Sequence, residues 1–310
     1  ELNGTCHEFG GSGVHLFFML SGFGLLMSKK QTLINFYKRR FTKVYLPYFL
    51  VLTICLLTNF LIPIYPNDGV EAYLAGIFLY QMFYEGFMEA FGGHFWFISA
   101  IIQFYLLFPL ISWCHQKLGD RIFLLISTLI SIAYWCLLYG MGYMDIRNWA
   151  GSFLQFLWVF SFGMVMASQY RQRQFKFWDY PMHYYILIAI VSISIAAVSI
   201  LKLGLVGKAF NDIPVFFGYT ALCVIAYKLI LQSAPRLIHF FEKTGDYSYS
   251  IYLTHALVIT LALYSLEVAS IDRNFWIVLS IVPIILLASW IYEKISVLFT
   301  RYILKLFALY

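Results

Sequence analysis

The sequence predicts an all-α, polytopic membrane helix bundle, and three observations carry that reading. Of its 310 residues, 62% are hydrophobic and only 12% charged, with a mean hydropathy of +0.77; soluble domains are only about 45–50% apolar. Apolar runs recur along almost the whole chain, and a bilayer core of about 30 Å needs roughly 20 such residues per helix. Lys and Arg gather in alternate breaks between those runs, as expected of cytoplasmic loops. The runs are continuous, which excludes the alternating segments of about ten residues that build a membrane β-barrel. They also leave no room for a separate soluble domain, so 1–310 reads as a single membrane domain.

Taken in order, the runs place spans at about 13–28, 44–62, 94–113, 122–139, 152–169, 184–202, 212–231, 247–266 and 275–300. The stretch VEAYLAGIFLYQMFYE at 70–85 is apolar but short and flanked by Gly, Pro and acidic residues, so it reads as an interfacial or re-entrant helix. Of the basic residues, 15 fall in 29–43, 114–121, 170–183, 232–246 and 301–310; the alternate loops hold Arg147, Lys202, Lys208 and Arg273. The richer side is therefore expected in the cytoplasm, with residue 1 outside and the C-terminus inside. The net charge of +6 is then accounted for by topology, and no nucleic-acid partner is needed.

Several residues stand out against this background. The segment KKQTLINFYKRRFTKVYLP at 29–47 holds Lys38, Arg39, Arg40 and Lys43 within a short stretch beside an aromatic pair. Such a segment anchors a span to anionic lipid; it also offers guanidinium groups for bidentate recognition of phosphate. His15 and His94 open the first and third spans at their outer ends, and His255 lies inside the eighth. Ionisable groups at membrane depth cost at least ~2.5 kcal/mol on insertion scales and so tend to mark sites, although a lone His also serves as a hydrogen-bonded helix-end residue. Ser21, Gly22 and Gly24 suit close helix packing in lipid. Cys6, Cys55, Cys114, Cys136 and Cys223 lack CxxC or CxxH spacing and read as packing residues, without a metal or redox site. Asn3-Gly4-Thr5 forms a glycosylation sequon.

Four blocks, GVHLFFMLSGF at 13–23, FYKRRFTKVYLPYF at 36–49, HFWFISAIIQFYLLFPL at 94–110 and DYSYSIYLTHALVI at 246–259, resemble in order and spacing the bacterial membrane acyltransferase-3 family. The resemblance implies a ten-helix enzyme of the bacterial plasma membrane. Such an enzyme moves an acyl group, usually acetyl, from cytosolic acyl-CoA to a hydroxyl of an envelope carbohydrate, polysaccharide or glycolipid. It places the family's arginine pair on Arg39 and Arg40, with Lys43 where many relatives carry another Arg. Many relatives have Asp where His15 stands. The family's first helix carries an Arg and, eleven positions later, an essential His; His7, preceded by the polar ELNGTC, reads instead as a loop residue. The sequence therefore sets the expectation of a further helix upstream bearing the main catalytic His.

Within the chain, His94, His15 and His255 are the candidate catalytic residues, and Arg39, Arg40, Lys38 and Lys43 the candidate acyl-CoA-binding ones. A neutral His can act as general base toward a sugar hydroxyl as its oxygen attacks the thioester. A transporter or flippase would also suit basic loops and intramembrane histidines, but the chain lacks the inverted repeat and paired helix breaks common in that class. A non-catalytic scaffold would explain the charges and not the histidines.

Overall fold

The computed structural model describes residues 13–307 except Lys30, Asp145 and Arg273, and gives the backbone alone at Arg147, Trp178, 205–209 and Pro235. Asn3-Gly4-Thr5, Cys6 and His7 lie outside the described residues. Among those residues there is no strand. The main helices are α1 (Gly13–Met27), α2 (Leu33–Arg40), α3 (Leu46–Leu61), α4 (Val70–Ile77), α5 (Trp96–Met141), α6 (Phe153–Arg171), α7 (Met182–Phe210), α8 (Asp212–Ser233), α9 (Pro235–Asp246), α10 (Ser248–Val268) and α11 (Phe275–Leu306).

Seven helical stretches are long and apolar enough to cross a membrane by length and composition, and α1 is a shorter apolar helix of 15 residues. The 46-residue α5 breaks at Gly119, whose φ of 72° and ψ of 167° are not helical; Gly reaches that conformation at no steric cost. The break falls between the third and fourth expected spans, so the nine expected crossings correspond to observed helices. The stretch at 70–85 is divided into α4, a 3-10 turn at Tyr80–Phe83 and the start of a four-residue helix at Glu85–Met88, none long enough to span.

One expectation needs correction. The basic segment is not a loop up to residue 43: α2, a π turn at Phe41–Tyr45 and α3 form one continuous helical stretch, Leu33–Leu61. Thr32 starts it by accepting the N–H of Asn35 at 3.4 Å, an ordinary N-cap. The π turn has a local cause in Pro47, which gives no N–H to the ladder and crowds the carbonyl four residues before it. Its i→i+5 bond runs from Leu46 N–H to the Phe41 carbonyl.

The chain forms two compact units, one from residues 1–30 with 103–238 and the other from 31–102 with 239–310. In the first, α1 lies against α6 at backbone contact. A Cβ on Gly22 would sit 2.1 Å from the Phe160 carbonyl oxygen, and one on Gly163 2.0 Å from that of Met19. Small residues allow such approach where lipid provides no hydrophobic drive. Gly24 takes no part, because a Cβ there would meet nothing within 4 Å. Phe18 stacks on Phe156 at 4.6 Å and Phe104 on Phe160 at 4.2 Å.

In the second unit α3 packs with α10 and α11. The Tyr249 hydroxyl donates to the Val44 carbonyl at 2.9 Å, and the Tyr292 hydroxyl donates to that of Pro47. A polar seam joins α10 to α11: Ser250 Oγ donates to Glu293 Oε2 at 2.6 Å, and Thr254 Oγ1 meets Ser289 Oγ at 2.8 Å. Of the described cysteines, Cys55 is buried, Cys114 half-buried, and Cys136 and Cys223 exposed, so packing accounts for the first and in part for the second.

The close approach of α1 to α6 generates a paired test. Gly22→Ala should lower the thermal midpoint of the detergent-solubilised protein, with a cost of about 1–3 kcal/mol for forcing an atom into a packed contact. Gly24→Ala, on the same helix but in open space, should leave it unchanged or raise it slightly. Equal effects of the two substitutions would refute the backbone contact.

Candidate functional site

The second unit brings His94 and His255 together. Their ring centroids lie 4.9 Å apart, and the Tyr252 ring stands 5.5 Å from that of His94. The spanning helix α5 begins at Trp96, two residues later than the apolar run suggests, so His94 occupies the turn that feeds it.

That turn has an unusual backbone. Phe91, Gly92 and Gly93 have φ of 54°, 102° and 71° in succession. Glycine adopts such angles freely; Phe91 does so at a cost of order 1–3 kcal/mol, which persists only where the surroundings fix it. The Asp68 carboxylate accepts the Phe91 N–H at 2.6 Å, and the Tyr65 ring meets the Phe91 ring edge-on at 5.6 Å. Asn59 in turn holds the Tyr65–Asp68 loop: its Nδ2 donates to the carbonyls of Tyr65 at 2.9 Å and Asp68 at 2.8 Å, and its Oδ1 accepts the Tyr65 N–H at 2.7 Å. Beyond the turn, Gln81 Nε2 donates to the Phe95 carbonyl at 3.3 Å and to Ser99 Oγ at 3.1 Å.

These braces also set the chemistry of the imidazole. His94 Nε2 lies 3.4 Å from the Leu253 carbonyl oxygen, which can only accept, so Nε2 carries the hydrogen and Nδ1 the lone pair. His94 Nδ1 is buried and makes no hydrogen bond. Burial first, and the neighbouring His255 second, push the His94 pKa down to about 3, because a low-dielectric setting disfavours the cation. His94 is therefore a neutral hydrogen-bond acceptor at physiological pH. The Tyr252 hydroxyl donates to the His94 carbonyl. His255 Nδ1 lies 2.7 Å from the Tyr252 carbonyl and 3.2 Å from that of Ile251, which assigns its hydrogen to Nδ1 and leaves its lone pair on Nε2.

His15, the third candidate, belongs to the first unit and has other partners. It is buried, its Nε2 lies 3.2 Å from Asp212 Oδ2, and the same carboxylate oxygen accepts from Gln155 Nε2 at 3.2 Å. Phe156 and Trp158 flank its ring at centroid distances of 5.2 and 6.3 Å. The sequence places His15 at a helix end but gives no hint of Asp212, which is 197 positions away in the chain. A paired buried His and Asp, satisfied by a third side chain, is the arrangement of a structural polar contact as much as of a reactive one.

The basic residues line the helical stretch ahead of α3. Lys38, Arg39 and Lys43 are exposed, and Arg40 is half-buried with its guanidinium 5.6 Å from the Phe36 ring centroid. Arg39 Nη1 reaches Gln31 Oε1 at 3.4 Å. Three cations open to solvent, with a fourth held over an aromatic ring, can receive a polyanion. The sequence reading passed over Glu293, Asp68 and Tyr65. Glu293 carried a signal, being a carboxylate inside the apolar run of the last span; Asp68 and Tyr65 sit in a polar loop with nothing in their spacing to mark them.

The acyltransferase domain family matches residues 2–294, nearly the whole chain, whereas no curated protein and no solved structure matches. With seven membrane-length helices and a match of that extent, the chain belongs to the acyltransferase-3 family of membrane acyltransferases.

Proposed function

We propose that the protein transfers an acyl group, acetyl in the first instance, from cytosolic acyl-CoA to a hydroxyl of a cell-envelope carbohydrate, polysaccharide or glycolipid, from within the bacterial plasma membrane. The observation that carries the acceptor side is His94: a half-buried, neutral imidazole whose buried Nδ1 is unpartnered and whose tautomer is set by the Leu253 carbonyl. Such a nitrogen accepts the hydrogen of an alcohol, orients its oxygen, and takes the proton as the oxygen attacks the thioester carbonyl. Donors around the developing oxyanion then lower the barrier further. His255, at centroid contact with His94, presents a second lone pair beside it.

The donor side is supported by Lys38, Arg39, Arg40 and Lys43, which lie on the stretch that the charge pattern assigns to the cytoplasm. Their positive charge suits the phosphates of coenzyme A. This orientation puts residues 29–43 and the C-terminus in the cytoplasm and 63–93, with His94, on the outside, where an envelope acceptor arrives.

Three measurements test the reading. Replacing Asn35 and Asn67 singly by Cys should give a thiol blocked by an impermeant reagent in intact cells only at position 67; labelling at 35 would reverse the topology. Arg39→Gln with Arg40→Gln should weaken acetyl-CoA binding by tenfold or more, at about 1.4 kcal/mol per decade, with little loss of folded yield. Unchanged affinity would return these arginines to a lipid-anchoring role. His94→Ala should lower kcat for acetyl transfer by about 10²-fold or more, the usual worth of a proton-transfer group, and leave acetyl-CoA affinity within twofold; a fully active variant would remove His94 from the reaction.

A further inference from the structure

Close to His94 Nδ1 lies a second buried polar atom without a partner, the Tyr65 hydroxyl. Tyr65 is only 8% exposed. Thr260 approaches its hydroxyl from α10, but no hydrogen bond forms. Burial raises the phenol's pKa well above its usual value, so it keeps its proton and can donate.

Both atoms face the same missing side chain. A Cβ on Gly92 would lie 3.6 Å from His94 Nδ1, 3.7 Å from the Tyr65 hydroxyl and 3.3 Å from the Ala256 methyl. Gly92 is itself exposed, so the turn behind which the two atoms are buried lies at the surface. The φ of 102° at this position favours glycine on backbone grounds. A buried polar atom left unpaired costs about 1–3 kcal/mol; two of them beside one glycine, on a turn held by Asp68 and Asn59, suit a site whose hydrogen bonds are completed by a ligand.

The ligand's chemistry follows from the pair. One atom offers a lone pair and the other a proton, and an alcohol hydroxyl supplies one donor and an acceptor oxygen. We propose that the position over Gly92, on which the two atoms converge, is the acceptor-hydroxyl subsite, where Tyr65 donates to the acceptor oxygen while His94 Nδ1 accepts its hydrogen. This assignment rests on the acyl-transfer reading above and adds a substrate-contacting residue to it. In the transfer the acceptor oxygen bonds to the acyl carbon and the carbon–sulfur bond breaks. The hydroxyl proton leaves toward Nδ1 and ends on the coenzyme A thiolate, giving ester and free thiol. Tyr65 keeps its proton throughout, and its hydrogen bond points an oxygen lone pair at the carbonyl.

Tyr65→Phe keeps the ring against Phe91 and removes only the hydroxyl. The test uses the full chain in detergent with radiolabelled acetyl-CoA and envelope glycan from cells lacking the gene, stripped of O-acetyl groups by mild base. Transfer to glycan and hydrolysis to free acetate are read together. The substitution should cut transfer by about tenfold, the worth of one well-aligned hydrogen bond, with acetyl-CoA KM within twofold and hydrolysis retained, so that the transfer-to-hydrolysis ratio falls. Unchanged transfer overturns the proposal. So does an equal loss of transfer, hydrolysis and thermal stability, which would make the hydroxyl structural. If the unsubstituted protein transfers nothing to glycan, the acyl-transfer reading fails and takes this subsite with it, a result distinguishable because it appears before any substitution.

Discussion

A bilayer core offers no water, so a polar group inside it keeps its place only when a neighbour completes its hydrogen bonds. Many polar residues of the spanning helices follow that constraint. Ser250, Thr254 and Ser289 are buried, and they are joined to each other or to Glu293 along the α10–α11 seam. Thr254 also bonds back to the Ser250 carbonyl and Ser289 to that of Ile285, both at i−4, the habit of hydroxyl side chains inside apolar helices. His15 meets Asp212, and Asp212 meets Gln155. The α1–α6 and α10–α11 contacts are therefore specified by small residues and by hydrogen bonds, because apolar area alone cannot tell a helix from a lipid chain.

Against that rule, an unpartnered polar atom carries information. His94 Nδ1 and the Tyr65 hydroxyl are such atoms, and the chain around them is held with care. Asn59 closes its loop with three hydrogen bonds, Asp68 fixes Phe91 in a conformation that non-glycine residues avoid, and Gln81 ties down the start of α5. A turn so constrained would lose little further entropy on binding the proposed acceptor, and positioning is where much of the barrier to a bimolecular transfer is overcome. The imidazole is kept neutral by burial beside a second histidine, which makes the site an acceptor of hydrogen and not a cationic trap for anions.

The basic segment has a different physical basis. Lys38, Arg39 and Lys43 are solvated, and the cost of desolvating them falls only when a polyanion replaces their water. The π turn at Phe41–Tyr45 sits between this cationic helix and α3, and side-chain donors from α10 and α11 fasten the backbone beside it at Val44 and Pro47. A helix with one extra residue in a turn presents its next face at an altered angle, so the orientation of the basic face relative to the span is set by Pro47.

The sequence by itself determined what depends on periodicity, length and net composition: the all-α class, the nine apolar runs, the non-spanning stretch at 70–85, and the family, through four blocks in order. Those features are local, and hydrocarbon imposes them on any chain that spans it. It also marked His94, His15 and His255 as unusual for their surroundings. Only the tertiary structure decided which of them meet. His94 joins His255 across 161 positions of chain, and His15 joins Asp212 instead, because side-chain pairing is fixed by helix packing that no spacing rule encodes. It also turned the expected basic loop into helix, since Thr32 can cap what hydropathy leaves blank. And it made Tyr65 and Asp68 visible, two polar loop residues whose meaning lies in Phe91, Gly92 and His94, more than twenty residues away in sequence and in contact only once the backbone turns through three positive φ angles.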